Sequence, residues 1–239
     1  MKRFFSPDNS DKRIFWTEYY LETNGFTKTN SEKNADFILL GVNPKTDLSG
    51  YDMPVFAGNV KEGKNIYDYT KIESFATENA YLTAEGAISL AVQKSEKSLI
   101  NAPILICGYG RIGKALHRYL EPFTKDITIC ARNADIRTLC ESLGTKTISP
   151  AELDKCKGYS FIFNTVPHPV FNEKELKSME KSTLLIDLAS FPGGVDEHYA
   201  KALGINLIIA RGLPGKYSPK SAGKTVAKTI INIIKEEGL

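Results

Sequence analysis

The sequence has no apolar run long enough to cross a membrane, no block of Lys and Arg that would make a nucleic-acid arm, and no CxxC or Cys/His spacing of a metal site. Its four cysteines, at 107, 130, 140 and 156, are scattered, and Cys107 and Cys130 end apolar strand-like runs, where a thiol acts as a small hydrophobe. No bound metal is expected. The net charge of +3 is too small to favour polyanions in bulk, but a positive potential confined to a cleft would still suit phosphates or carboxylates. Met1-Lys2-Arg3-Phe4-Phe5-Ser6-Pro7 lacks an apolar signal region, so a cytoplasmic compartment is expected. There is no internal repeat and no low-complexity tract. What remains is 239 residues, 42% hydrophobic and 25% charged, enough for one large domain or two small ones.

The most informative stretch is Ile104-Leu105-Ile106-Cys107-Gly108-Tyr109-Gly110-Arg111-Ile112-Gly113, an apolar run feeding a glycine-rich turn. A helical stripe follows at once, Ile112, Ala115, Leu116, Tyr119 and Leu120. GxGxxG alone is weak, but a strand before it and a helix after it are the context of a dinucleotide fingerprint. The first glycine permits the tight turn, the second lets the backbone approach a pyrophosphate, and the third lets helix and strand pack closely. The helix N-terminus then offers N–H groups and positive dipole to phosphates.

Residues 1–82 read as a small α/β domain, assigned to substrate and partner. A helix is expected over Arg13–Thr23 with Ile14, Phe15, Tyr19 and Leu21 inward and Gly25 as its stop, then a buried strand over Ala35–Val42 ended by Asn43-Pro44. Lys45–Asn65, rich in Gly, Pro, Asn and Asp, reads as a long loop, either a functional flap or a poorly ordered segment. A short helix is expected at Thr70–Thr77, then a second from Thr83, a candidate N-cap, through Gln93, with the domain hinge between them. Residues 83–239 alternate strands and helices, with strands expected at Ile104–Cys107, Asp126–Cys130, Lys146–Ile148, Tyr159–Asn164, Leu184–Leu188 and Asn206–Ala210. Ile136, Leu139, Cys140 and Leu143 mark one helical stripe, and Ala222, Val226, Ala227, Ile230, Ile233 and Ile234 the last. Right-handed crossovers would give strand order 3-2-1-4-5-6. The fold class is α/β: a doubly wound parallel-sheet Rossmann domain preceded by a smaller α/β domain.

An NAD site places Asp or Glu about 20 residues past the glycines, on the ribose hydroxyls. Here the second strand ends Ile129-Cys130-Ala131-Arg132-Asn133, so Arg132 stands where that carboxylate is expected. A guanidinium suits a 2′-phosphate and a flat adenine face, with Arg137 one turn on as support, so the expected cofactor is NADP rather than NAD. The turn Asn164-Thr165-Val166-Pro167-His168-Pro169 ends the fourth strand. Its Asn and Thr either fix ribose and amide groups or simply make a turn, and His168 is either a general base or an exposed loop residue. His117 and His198 read as surface or packing residues. Asp187, at the fifth strand's end, either orients a neighbouring donor or caps. The stretch Arg211–Lys224 carries four cations and two serines on a loop expected to face both the crevice and the first domain. Lys220 and Lys224 at a helix N-terminus oppose its dipole, a cost that a bound anion would offset.

Taken in order, Thr83-Ala84-Glu85-Gly86-Ala87, the glycine motif, Ala131-Arg132-Asn133, Asn164-Thr165-Val166-Pro167, Asp187-Leu188-Ala189-Ser190-x-Pro192-Gly193-Gly194 and Gly212-Leu213-Pro214-Gly215-x-x-x-Pro219-Lys220-x-Ala222-Gly223 resemble the dipicolinate synthase A-subunit family. The resemblance runs from about Asn79 to the C-terminus, with a weaker echo at Ala35–Val42. It implies oxidation of dihydrodipicolinate, or its hydrated precursor from the lysine pathway, in spore formation, with a nicotinamide cofactor and a second, flavoprotein-like subunit. Gly108, Tyr109, Gly110, Arg111, Ile112, Gly113, Arg132, Asn133, Arg137 and Asp187 would then serve NADP binding, and Asn164, Thr165, Val166 and Pro167 would sit by the nicotinamide. Lys216, Ser218 and Lys220 would bind a small dicarboxylate, with Glu85 a hinge residue near the cleft and His168 the candidate base. A homo-oligomer is expected. The first domain reads as shorter than the family's, without its opening glycine-containing strand and helix. Two rivals remain: a shikimate- or methylene-tetrahydrofolate-type NADP dehydrogenase, for which the Asn43 strand end offers no acid–base lysine motif, and a non-catalytic nucleotide-binding component that works through a partner.

Overall fold

The computed structural model describes residues 1–7, 11–155 and 157–239; Cys156 lies outside them. The chain forms two compact units, residues 1–82 with 214–239, and residues 83–213.

The first unit is built on five parallel strands, β1 (Arg3–Phe5), β2 (Thr27–Lys28), β3 (Phe37–Val42), β4 (Val55–Gly58) and β5 (Ile66–Asp68), in the order β2-β1-β3-β4-β5. Helix α1 (Lys12–Thr23) starts where Asp11 accepts from the Arg13 N–H and stops at Asn24-Gly25, the glycine at φ +87°. Its inward stripe is Ile14, Thr17, Glu18 and Leu21. Phe15 and Tyr19, expected inside, are 58% and 48% exposed. They belong instead to an edge-to-face row with Trp16 and Tyr20, since positions 15 and 19 fall roughly 110° and 150° from the centre of the buried stripe. The final helix, α8 (Pro219–Glu236), closes the same core. Its Val226, Ala227, Ile230, Ile233 and Ile234 share a cluster with Phe4, Ile14, Leu21, Phe37 and Phe56. The helices cross where Gly223 has no side chain: a Cβ there would clash with Trp16 Cβ and the Arg13 carbonyl. Residues 214–239 therefore belong to the compact first unit, whereas the sequence alone carries the second domain to residue 239.

Three further expectations change. The chain opens on a strand and a helix, β1 and α1, which the family resemblance implies are missing; neither needs the glycine. The 45–65 segment is not one loop. It contains β4, and Leu48, Tyr51 and Met53 cover the sheet face formed by Ile38, Leu40, Val55 and Ala57. Finally, α2 (Glu73–Lys94) is one helix of 22 residues, so Thr83 is a buried mid-helix residue and not an N-cap. Alanines 76, 80, 84, 87 and 91 favour helix throughout, outweighing the roughly 1 kcal/mol cost of Gly86.

The second unit holds six parallel strands, β6 (Ile104–Cys107), β7 (Ile127–Cys130), β8 (Lys146–Ile148), β9 (Phe161–Asn164), β10 (Leu184–Asp187) and β11 (Asn206–Ile209), in the order β11-β10-β9-β6-β7-β8. This is the expected doubly wound order. Between them run α3 (Arg111–Leu120), α4 (Ala134–Ser142), α5 (Glu173–Ser178) and α6 (Glu197–Leu203); α7 (Leu213–Tyr217) leads on to α8. Helix α5 opens on a capping box formed by Asn172 and Glu175. Ser149 and Glu152 likewise pair, at 2.8 Å, but they head a 3-10 turn, Pro150–Lys155. On α4 only Cys140 of the expected stripe is buried; Leu139 is 50% exposed, and Leu143, 71% exposed, lies past the last helical residue as the C-cap.

Candidate functional site

Strand order in the second unit reverses at β6, which has β7 on one side and β9 on the other. The carboxyl ends of such strands diverge and leave a crevice, the usual ligand position in open α/β sheets. Here it measures about 500 Å³ and is lined by Gly108, Tyr109, Arg132, Asn133, Leu153, Val166 and His168, among others.

Its floor is shaped by missing side chains. Gly108 sits at φ +91°, and a Cβ on it would collide with Thr165 Oγ1 and Val166. A Cβ on Gly113 would fall on the Gly108 carbonyl oxygen. Gly110, the N-cap of α3, supplies no side-chain cap, and a Cβ there would meet nothing within 4 Å. Two glycines thus hold the turn and the third leaves its outer side bare, where the first N–H groups of α3 have no intrahelical acceptor. Arg111 and Ile112 follow as its first residues. This cradle fits a diphosphate.

The flanking side chains divide into those that face the crevice and those that frame it. Arg132 is exposed on the rim. Arg137 braces the turn, its Nη1 donating to the Ala131 and Arg132 carbonyls at 2.7 and 3.0 Å. Asn133 caps α4, its Oδ1 accepting from the N–H groups of Asp135 and Ile136. Tyr109 points its hydroxyl to His117 Nδ1, 2.8 Å away, while Thr145 Oγ1 lies 3.2 Å from Nε2. Burial pushes the Tyr109 phenol up to about 12, with Cys140 adding to the shift. Burial also lowers the His117 pKa, with Lys125 acting in the same direction against Glu121, so this histidine is neutral near pH 7.

At the end of β9 the expectation that the Asn164 amide serves a cofactor does not hold. Asn164 is fully buried, its Nδ2 donating to Asp187 Oδ1 at 2.7 Å and to the Val166 carbonyl, its Oδ1 accepting from Val166 N–H. Asp187, also buried, accepts in addition from the N–H groups of Ala189 and Gly194. A Cβ on Gly194 would fall on Asn164 Nδ2 and the Val166 carbonyl, and Gly193 sits at φ +97°, which together account for the glycine pair after β10. Thr165 Oγ1 donates to the Cys107 carbonyl at 2.9 Å. These residues fix the turn; Val166 and His168 are what it presents to the crevice, with Pro167 exposed beside them.

The other candidates lie elsewhere. Glu85 is exposed on α2. Lys216, Ser218 and Lys220 belong to the first unit. Ser218 precedes α8 without a side-chain cap bond, and Lys220 Nζ lies 4.9 Å from the Trp16 ring centre, a cation–π contact. Lys220 and Lys224 also line a hollow of about 730 Å³ with Tyr20 and Tyr81, where Lys228 is paired with Glu78 at 2.6 Å. Among the described residues no group of His, Cys, Asp or Glu could hold a metal. No helix among them is long and apolar enough to cross a membrane.

No protein-family model matches the chain. The dipicolinate synthase A-subunit of Bacillus subtilis (strain 168) is 32% identical over 165 residues, which cover 69% of this chain and 56% of that protein. The matched stretch thus spans little more than half of that relative's length. Crystal structures of the dipicolinate synthase A-subunit from Bacillus halodurans (23% identity, 98% of each chain, TM-score 0.83) and of its Bacillus subtilis counterpart (23%, 99% of this chain and 96% of that, TM-score 0.85) share the fold. So does a transhydrogenase from Sinorhizobium meliloti (17%, 99% and 94%, TM-score 0.76). With sequence homology over more than two thirds of its length and a fold matched over nearly all of it, the chain belongs to the dipicolinate synthase A-subunit family.

Proposed function

We propose that this protein is an NADP-dependent oxidoreductase that converts dihydrodipicolinate, or its hydrated precursor, to dipicolinate during spore formation, together with a flavoprotein-like second subunit. The observation that carries the cofactor half is Arg132 on the rim of a diphosphate-sized glycine cradle, where a carboxylate would select NAD. The substrate half is carried by the family and by the cations Lys216 and Lys220 beside Ser218, a chemistry suited to carboxylates.

The reaction balances simply. A ring carbon of dihydrodipicolinate gives up a hydride and the ring a proton, leaving aromatic dipicolinate; the hydrated precursor must lose water as well. When bound, the cofactor supplies the hydride acceptor. Aromatisation makes the oxidation downhill, so the chain's own task is to hold the ring's charges and exclude misaligned poses. His168, on the crevice rim, is the candidate to take the proton if solvent does not. Glu85 acts only as a hinge residue.

The test is reduction of NADP⁺ by enzymatically generated dihydrodipicolinate, with Lys220→Ala in parallel. Turnover is expected, and the variant should raise KM for the dicarboxylate far more than for NADP⁺. Tight NADP⁺ binding with no turnover, alone or with the second subunit, would mean a nucleotide-binding component instead.

A further inference from the structure

The first unit has a reversal point of its own. In the order β2-β1-β3-β4-β5 the chain leaves β1 toward β2 and returns on its other side as β3, so the carboxyl ends of β1 and β3 part. A crevice of about 620 Å³ opens there, lined by Asp11 at the head of α1 and by Gly41, Asn43, Lys45 and Thr46 at and beyond the end of β3. It is the place where a sheet of this winding takes a ligand, and the Rossmann crevice of the second unit does not account for it.

Its chemistry is specific. Asn43 is held at φ +55°, and its Oδ1 accepts from Asn59 Nδ2, which leaves its own Nδ2 without a protein partner among the described residues. Lys45 is exposed and forms no ion pair among the described residues. Asp11 is clamped by Arg13, whose Nε and Nη2 donate to it at 3.0 and 2.5 Å, so one wall is charge-balanced and the other cationic. Arg13 in turn packs against Gly215, where an added Cβ would lie 3.0 Å from Nε, and this brings the wall up against the segment that carries Lys216 and Ser218. One residue before the crevice, Ser6 is 5% exposed with an Oγ that has no hydrogen-bond partner among the described residues.

We propose that this crevice binds the ring substrate. Lys45, the Asn43 amide and the Thr46 hydroxyl take one carboxylate, and the Arg13-clamped Asp11 accepts from a ring N–H or hydroxyl. The inference rests on the dicarboxylate reading above and adds a second set of ligands to Lys216, Ser218 and Lys220, as two carboxylates require. It also gives the Asn43 strand end a lysine, Lys45, in a role that no motif in the sequence marks.

The experiment is calorimetric titration of the full chain with pyridine-2,6-dicarboxylate and, separately, with NADP⁺, for wild type, Lys45→Ala and Asn43→Gly. Glycine keeps the positive φ at 43 while removing the amide. Each variant should weaken dicarboxylate binding about tenfold or more and leave NADP⁺ affinity unchanged, with the melting temperature unchanged in Lys45→Ala and only slightly lowered in Asn43→Gly, which loses the contact with Asn59. Wild-type dicarboxylate affinity in both variants would overturn the crevice assignment while leaving the proposed reaction standing. A wild type that binds NADP⁺ but no dicarboxylate would instead overturn the reaction reading and, with it, this site.

Discussion

Replacing Arg132 by alanine tests cofactor choice most directly. In the structure Arg132 stands on the crevice rim with no ion pair among the described residues, whereas Arg137 does not line the crevice and gives its Nη1 to two carbonyls of the same turn. A hydrogen bond to a charged group contributes about 1.5–3 kcal/mol. Solvent at the exposed rim screens a bidentate contact to a 2′-phosphate, so we take the same range, about 1.5–3 kcal/mol, for the pair rather than for each bond. That is about 10–100-fold in Kd for NADP⁺, against a change within about two-fold for NAD⁺, which offers no phosphate there. Fluorescence or calorimetric titration of both dinucleotides with both proteins measures the four constants. Raising ionic strength should erode NADP⁺ binding by the wild type and leave the variant nearly flat. Equal losses for the two dinucleotides, or a wild type that prefers NAD⁺, would refute the argument.

Gly110→Ala should fold like the wild type, since its Cβ meets nothing within 4 Å, yet lose dinucleotide affinity; thermal melts beside titrations separate the two effects. Gly113→Ala should fail at the earlier step, its Cβ falling on the Gly108 carbonyl, with about 1–3 kcal/mol lost in urea unfolding. Asp187→Asn replaces one acceptor oxygen with a donor NH2, set either against the Gly194 N–H or against the Asn164 and Ala189 donors, and should cost about 1–3 kcal/mol in the same assay. His117 has a folded pKa below its ordinary 6.5, so folding favours the neutral ring. Its contribution is complete above that value and is lost as pH falls through it toward the folded pKa. Unfolding midpoints at pH 7.5 and 5.5 should therefore converge in His117→Gln relative to wild type; an unchanged difference would exclude this histidine as the source.

The second unit was legible because its signals are local. Each buried strand is a short apolar run between turn residues, the glycine spacing sits between a strand and a helix, and a parallel sheet with right-handed crossovers leaves few orders to choose from. The first unit was less so. Its β1 and β2 have three and two residues, too few for any periodicity, and β4 hides in a glycine- and asparagine-rich stretch whose Leu48, Tyr51 and Met53 are spaced for no regular element. The α8 assignment failed for a different reason. An amphipathic helix announces that it will be covered but not by what, and here the cover is α1, more than 200 residues earlier in the chain.

The same distinction applies to the sites. Motif residues are often taken as ligands, yet Asn133, Arg137, Asn164 and Asp187 spend their side chains on caps, carbonyls and each other. Their role is to keep two turns in one shape, so that Arg132 and Val166 stand at the crevice with little entropy left to lose on binding. Substitution at these framing positions should register first as stability and only then as affinity, the reverse of the order expected at Arg132 or Gly110. The crevice of the first unit carries no motif at all. Its polar groups come from β3's end and the head of α1, about 30 residues apart, and only the sheet brings them together. A binding site assembled this way is set by topology, and no spacing along the chain could have revealed it.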